Sequence, residues 1–279
     1  MPSVSVIGCG WFGLPLAQQL RRQGYAVKGC KRSPEGVAML STLGIEAYLL
    51  DLDTDDAASP ALLDADVLVI NLPPGLRRGD SGYLERLSRL IVAMKTAPKR
   101  LIFISTTGVY PDLVQTMTES DACVHSPVAA VLLGAETLFA GLNTTVVRFA
   151  GLVGPGRHPG RFFAGKTCVG GANMPVNLVH LADCIAAVQL LISAPDVEAV
   201  YNLCAPIHPD KKTFYTEAAR LAGLPLPDFV ADDLADSAAD AQDNKGGKTI
   251  DGSLICRVHG FEYRYCDPMA LLQDAHAFK

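Results

Sequence analysis

The feature that most restricts the fold is a glycine-patterned loop at the start of the chain. The apolar run at residues 4–7 breaks directly into Gly8-Cys9-Gly10-Trp11-Phe12-Gly13, and a segment with helical apolar spacing follows at 14–22. Each glycine has its own reason to be there. Gly8 permits a tight turn, Gly10 lets the backbone approach a pyrophosphate, and Gly13 lets the helix pack closely on the strand. The N–H groups at the helix start then face the anion. This context predicts a dinucleotide-binding unit, with Gly8, Gly10, Trp11, Phe12 and Gly13 at the cofactor; a purely structural glycine turn is the alternative.

The rest of the pattern agrees with a sheet of several such units. Apolar runs at 26–27, 47–50, 67–72, 101–104 and 145–149 alternate with segments at 83–95 and 129–139, whose apolar residues recur every three or four positions. Strands alternating with helices imply a parallel sheet covered on both faces. The expected fold is therefore α/β, a Rossmann-type doubly wound parallel sheet over residues 1–150. After Gly151 glycine and proline crowd the chain, and a strand at 176–179, a helix at 181–192 and a strand at 200–203 follow. Residues 151–279 are expected to form a small substrate-side lobe packed back onto the core.

Composition narrows the partners. With 49% hydrophobic and 19% charged residues the chain can bury a core, and a net charge of -5 opposes nucleic-acid binding. No apolar run is long enough to cross a membrane, and no export signal is visible, so a cytoplasmic protein is expected. The 8 cysteines include no closely spaced pair, and no metal site or disulfide framework is expected. Asp228 to Asp243 is rich in aspartate but lacks the glycine and closing glutamate of a calcium loop, and reads as a solvated segment. A small molecule remains the expected partner; oligomeric state stays open.

The cofactor's identity turns on the end of the second strand. NAD-selective sites place an acid there for the ribose hydroxyls. This chain instead reads Lys31-Arg32-Ser33, two cations and a hydroxyl where a 2′-phosphate would sit. NADP(H) is expected over NAD(H) for that reason. Leu72, Pro73 and Pro74 end the fourth strand at its carboxyl side, where open α/β sheets bind ligands, and join the expected cofactor site.

Ser105-Thr106-Thr107-Gly108-Val109-Tyr110 resembles the end of the fifth strand in the extended short-chain dehydrogenases/reductases of the epimerase/dehydratase group. Arg148 through Gly156 and Asn177 through Asp183 resemble two later junctions of that group. Gly10 through Ala17, Gly154 through Lys166 and Tyr201 through Pro206 are similar to its YeeZ-like atypical branch. The resemblance implies an oxidoreductase or epimerase-like enzyme in which Thr106 takes the catalytic hydroxyl position. It also places Arg157, His158, Arg161 and Lys166 in a loop on the substrate side, where four cations would suit an anionic group.

The pattern breaks at one point. The group's catalytic tyrosine and lysine positions read Val128 and Leu132, and neither side chain can move a proton. Tyr110 or His180 is then expected to do so, with His180 and Asp183 also readable as fixing a strand-to-helix junction. A cofactor-binding redox sensor without hydride chemistry is the competing reading.

Overall fold

A computed structural model of the chain describes residues 2–54, 58–75, 82–230 and 247–279. Most of the expected Asp-rich segment, from 231 to 243, lies outside the described residues.

The central element is a seven-stranded sheet. Its strands are β1 (Ser3–Ile7), β2 (Ala26–Lys31), β3 (Glu46–Leu49), β4 (Val67–Ile70), β5 (Arg100–Thr106), β7 (Thr144–Phe149) and β10 (Val200–Leu203), in the order β10-β7-β5-β4-β1-β2-β3. Pairing is parallel from β3 through β5, with Val4 opposite both Val27 and Val67. β1 and β4 are neighbours although they are not consecutive, so strand order reverses between them. A crevice for ligands opens at such a switch point, outside the carboxyl ends of the strands.

The helices form where local chemistry starts them. α1 (Gly13–Arg22) buries Leu16, Ala17 and Leu20, a stripe at helical spacing. α2 (Pro34–Thr42) has Pro34 in its first turn, and its first-turn Gly36 N–H donates to Ser33 Oγ at 3.2 Å. A short α3 (Pro60–Leu63) and α4 (Tyr83–Ala93) follow, the latter burying Tyr83, Leu87 and Leu90. α5 (Pro127–Leu138) starts in the same way as α2, with Ser126 accepting from Ala129 N. Leu87, Leu90, Phe103, Ala135 and Phe139 belong to one core cluster, in which the Phe103 and Phe139 rings stand 4.9 Å apart.

Two compact units share the chain. One comprises Met1–Val109, Cys123–Arg148 and Ile185–Tyr201; the other comprises Tyr110–Ala122, Phe149–Cys184 and Asn202–Lys279. One change of unit falls between Arg148 and Phe149. The chain nevertheless crosses more often than a single division at 150 allows, because the sheet needs a strand contributed from beyond residue 199.

The second unit has its own small elements. β8 (Gly151–Val153) pairs in parallel with β9 (Leu178–His180), and β6 (Thr116–Met117) with β11 (Thr249–Ile250). Its helices include α7 (Lys211–Leu221), α8 (Leu254–His259) and α9 (Pro268–Leu271). α6 (Leu181–Ser193) runs from β9 into the first unit. A core of Val153, Leu178, Phe214, Ala218 and Leu271 holds the second unit together.

Candidate cofactor and substrate sites

The glycine loop has the geometry its spacing predicts. Gly8 has φ of +102°, and a Cβ there would lie 2.2 Å from the carbonyl oxygen of Asn71, at the end of β4. A Cβ on Gly13 would lie 2.2 Å from Gly8 O. These two glycines are required by the close approach of backbone to backbone. Gly10 differs, since a Cβ on it would meet nothing within 4 Å. Open space beside a bare Cα is what a pyrophosphate needs. No side-chain hydrogen bond caps the start of α1 and no acid sits in its first turn, so its positive dipole end is left for an anion. The residues present therefore fit a dinucleotide. Phe12 is buried and its side chain belongs to the packing, whereas Trp11 is half-buried.

Below the loop two thiols are enclosed. Gly8 N donates to Cys30 Sγ at 3.4 Å, and Cys9 Sγ to Val6 O at 3.5 Å. Burial pushes both thiols up, Cys9 to about 11 and Cys30 to about 12, so neither is a nucleophile at neutral pH. The β4 end is tied to the loop as well. Asn71 Nδ2 donates to Gly8 O at 3.3 Å, and Tyr83 OH to Leu72 O at 3.1 Å, which fixes the approach to Pro73 and Pro74.

At the end of β2 the three expected residues divide. Arg32 is largely exposed; its guanidinium stands 3.8 Å from Asp53, a carboxylate that Arg86 approaches more closely, at 3.2 Å. The stem of Lys31 lies against Gly36, where a Cβ would come 2.8 Å from Lys31 Cβ. Ser33 caps α2, and its hydroxyl, after Glu35's own backbone N–H, holds the Glu35 carboxyl below its ordinary range. Ser33 thus organises the turn, while Arg32 and Lys31 carry the positive charge.

At the end of β5, Thr106 is half-buried and its Oγ1 accepts from Gly108 N at 3.3 Å. The positions of the missing pair explain themselves differently. Leu132 is buried, with a methyl pressed against Gly108, while Val128 is 50% exposed. Beside them stands a titratable group to which sequence spacing assigned no role. The exposed His125 places Nε2 3.3 Å from Gly108 O, at the same glycine whose N–H reaches Thr106. A bidentate pair underpins this corner, with Arg148 Nε and Nη2 donating to the two Glu136 oxygens at 3.0 and 2.7 Å and Ser105 Oγ to Oε1 at 2.6 Å.

The expectation for Tyr110 is corrected. Tyr110 is completely buried in the second unit, and its hydroxyl donates to Asn202 Oδ1 at 2.7 Å. Asn202 in turn donates its Nδ2 to Asp251 O and its backbone N–H to Glu119 Oε1. A phenol so enclosed is a structural hydrogen-bond donor. His180 is likewise buried: Ala182 N donates to Nδ1 at 3.1 Å, which leaves the proton on Nε2 to be donated to Ala277 O at 2.8 Å. Burial holds its pKa below the ordinary value. Asp183 accepts from Arg264 N and Tyr265 N, so both residues fix the junction between β9 and α6.

The loop predicted to hold four cations holds three and gains another. His158 caps a short 3₁₀ turn (Pro159–Arg161), its Nδ1 accepting from Gly160 N at 3.1 Å, and its ring packs 4.3 Å from Phe278. Burial and the neighbouring Arg161 both lower its pKa, so it is neutral. Arg157, Arg161 and Lys166 are exposed on the same loop. Lys211, at the start of α7, joins them: its Nζ and that of Lys166 each lie 4.9 Å from the Phe163 ring centroid.

Together the switch-point crevice and the bare glycine loop define a nucleotide-binding α/β protein. Comparison with known proteins makes this specific. A family model described as NAD(P)H-binding matches residues 8–188. YeeZ of Escherichia coli (strain K12) is 42% identical over 287 aligned positions, covering 97% of this chain and 99% of that protein. Among solved structures, a conserved protein from Silicibacter pomeroyi DSS superposes with a TM-score of 0.74 at 23% identity, covering 98% and 97% of the two chains. The human epimerase family protein SDR39U1 with NADPH gives 0.68 at 18%, covering 97% of each chain, and the UDP-glucuronic acid 4-epimerase of Bacillus cereus with NAD gives 0.70 at 17%, covering 94% of each. The chain belongs to the NAD(P)H-binding family and is a relative of YeeZ.

Proposed function

We propose that this protein is a cytoplasmic NADP(H)-dependent oxidoreductase or epimerase-like enzyme that acts on a small polar, anionic substrate. The observation that carries the reading is the glycine loop: Gly8 and Gly13 are forced by backbone contact, while Gly10 faces open space at an acid-free helix start. Arg32 and Lys31, with no acid at the end of β2, support NADP(H) over NAD(H). SDR39U1 was solved with NADPH and the Bacillus cereus epimerase with NAD, so the fold accommodates either.

When bound, the nicotinamide supplies or accepts a hydride. The chain's own residues then hold the substrate and move the accompanying proton. In this reading Thr106 Oγ1, held by Gly108 N–H, orients a substrate oxygen, and His125 on the carbonyl side of Gly108 transfers the proton. Arg157, Arg161 and Lys166 attract the negative charge of the substrate.

A second reading, an NADP(H) sensor without turnover, is favoured by buried Leu132 and exposed Val128 where the tyrosine and lysine usually stand. Fluorescence titration with NADPH and NADH, followed by a panel of keto acids, aldehydes and sugar nucleotides, separates the two. NADPH binding with oxidation by one substrate class supports the enzyme; binding without turnover across the panel favours the sensor. No binding of either nucleotide overturns both.

A further inference from the structure

Beyond the end of β3 an aspartate stands between two arginines that come from different elements of the first unit. Asp53 Oδ1 is 3.2 Å from Arg86 on α4, and Oδ2 is 3.8 Å from Arg32 at the end of β2. The two contacts differ in kind. The Arg86 side chain is 16% exposed, whereas that of Arg32 is 75% exposed and approaches the carboxylate from the solvent side. An exposed pair at the longer distance is weak, and its guanidinium is readily exchanged to a better-placed anion.

The carboxylate itself is held in place. Arg89, one turn along α4 from Arg86, donates through Nη1 to Thr54 O at 2.8 Å and through Nη2 to Leu52 O, so α4 grips the backbone on both sides of Asp53. Asp53 N donates to Asp51 Oδ1 at 3.1 Å and Thr54 Oγ1 to Asp51 O at 2.9 Å, which closes the turn. Arg32 is therefore the partner that can leave, since Asp53 keeps a guanidinium when Arg32 turns away. A carboxylate and a phosphate take the same N–H donors of an arginine. A 2′-phosphate arriving at Arg32 thus meets an anion that already occupies it.

We infer that Asp53 is a specificity-determining residue that competes with the 2′-phosphate of NADP(H) for Arg32, and that Arg86 keeps the carboxylate paired when the phosphate takes Arg32. The inference rests on the assignment of Arg32 to the 2′-phosphate made above. Binding of NADPH then includes the rupture of one ion pair, a step that NADH does not require. Asp53 lowers the affinity for NADPH and leaves that for NADH unaltered, which narrows the selectivity that Lys31 and Arg32 confer.

The test is fluorescence titration of the full chain with NADPH and with NADH at constant ionic strength, for the wild type, Asp53→Asn, Asp53→Glu, Arg32→Met and the double variant that joins Asp53→Asn to Arg32→Met. Asp53→Asn should tighten NADPH binding by about three- to fivefold, the size of one exposed ion pair, and leave NADH binding within about twofold. Asp53→Glu, which keeps the charge, should show no such gain. In the Arg32→Met background Asp53→Asn should change NADPH affinity less than about twofold, because no guanidinium remains to be released and Arg86 still neutralises the carboxylate. Should Asp53→Asn fail to fold, Asp53→Ser is read in the same way. Unchanged or weakened NADPH binding in Asp53→Asn, or an equal gain in Asp53→Glu or in the Arg32→Met background, overturns the proposal. Those results leave the cofactor reading standing as long as Arg32→Met weakens NADPH binding. NADPH affinity unaffected by Arg32→Met instead overturns the 2′-phosphate assignment, and this inference with it.

Discussion

Three glycines in one loop make opposite demands, and single substitutions distinguish them. Gly8→Ala combines a strained positive φ with a carbonyl contact and should destabilise the fold by about 1–3 kcal/mol, read by chemical denaturation. Gly10→Ala meets nothing and should leave stability within about 0.5 kcal/mol, yet weaken NADPH binding at least tenfold, because the methyl occupies the space left for phosphate. Equal NADPH affinity in Gly10→Ala would remove the pyrophosphate from this loop. Arg32→Asp should lower NADPH affinity by roughly ten- to a hundredfold and leave NADH affinity nearly unchanged, since a charge-assisted hydrogen bond is worth about 1.5–3 kcal/mol. Tyr110→Phe is expected to cost about 1–3 kcal/mol by leaving Asn202 Oδ1 without its phenolic donor. Turnover should survive that change, measured below the variant's unfolding temperature, because the phenol reaches no solvent.

Among the elements, β7 and α5 are joined by a buried ion pair to which β5 adds a hydroxyl. The side chains of Arg148 and Glu136 are only 5% and 9% exposed and meet in a two-pronged contact, with Ser105 completing it. Removing one partner strands the other charge. Glu136→Leu or Arg148→Met alone should therefore cost about 3–5 kcal/mol, and the double replacement by well-packed apolar residues should recover much of that, as a double-mutant cycle in urea would read. The sensor reading also belongs to this scale. Leu132 fills against Gly108 the place where a lysine would have to desolvate its ammonium, so α5 is built here for packing.

At the scale of the whole molecule, titration links stability to pH. His158, His180 and His208 all have pKa values lowered first by burial. A histidine whose folded pKa is depressed contributes stability that is fully present above its unfolded value, near 6.5, and is lost as pH falls through the folded value. The thermal midpoint should therefore decline between pH 7.5 and 5.5, and His180→Asn should flatten that slope. A midpoint independent of pH in this window would contradict the neutral, buried state of these rings.

The sequence by itself determined what local spacing can encode. The glycine loop, the strands from β1 to β5 and the helices α1, α4 and α5 follow from apolar periodicity and turn chemistry, which act over a few residues. α7 escaped because its polar start hides the buried stripe of Phe214, Tyr215, Ala218 and Ala219; the Asp210 cap was its one local signal. Only the tertiary structure decided which side chains are available for chemistry. Tyr110 is enclosed because a strand 92 positions away presents Asn202 to it, His125 reaches Thr106's corner through Gly108, and Lys211 meets Lys166 across Phe163. Burial and charge pairing are set by contacts between distant segments, and residue spacing along a chain carries no record of them.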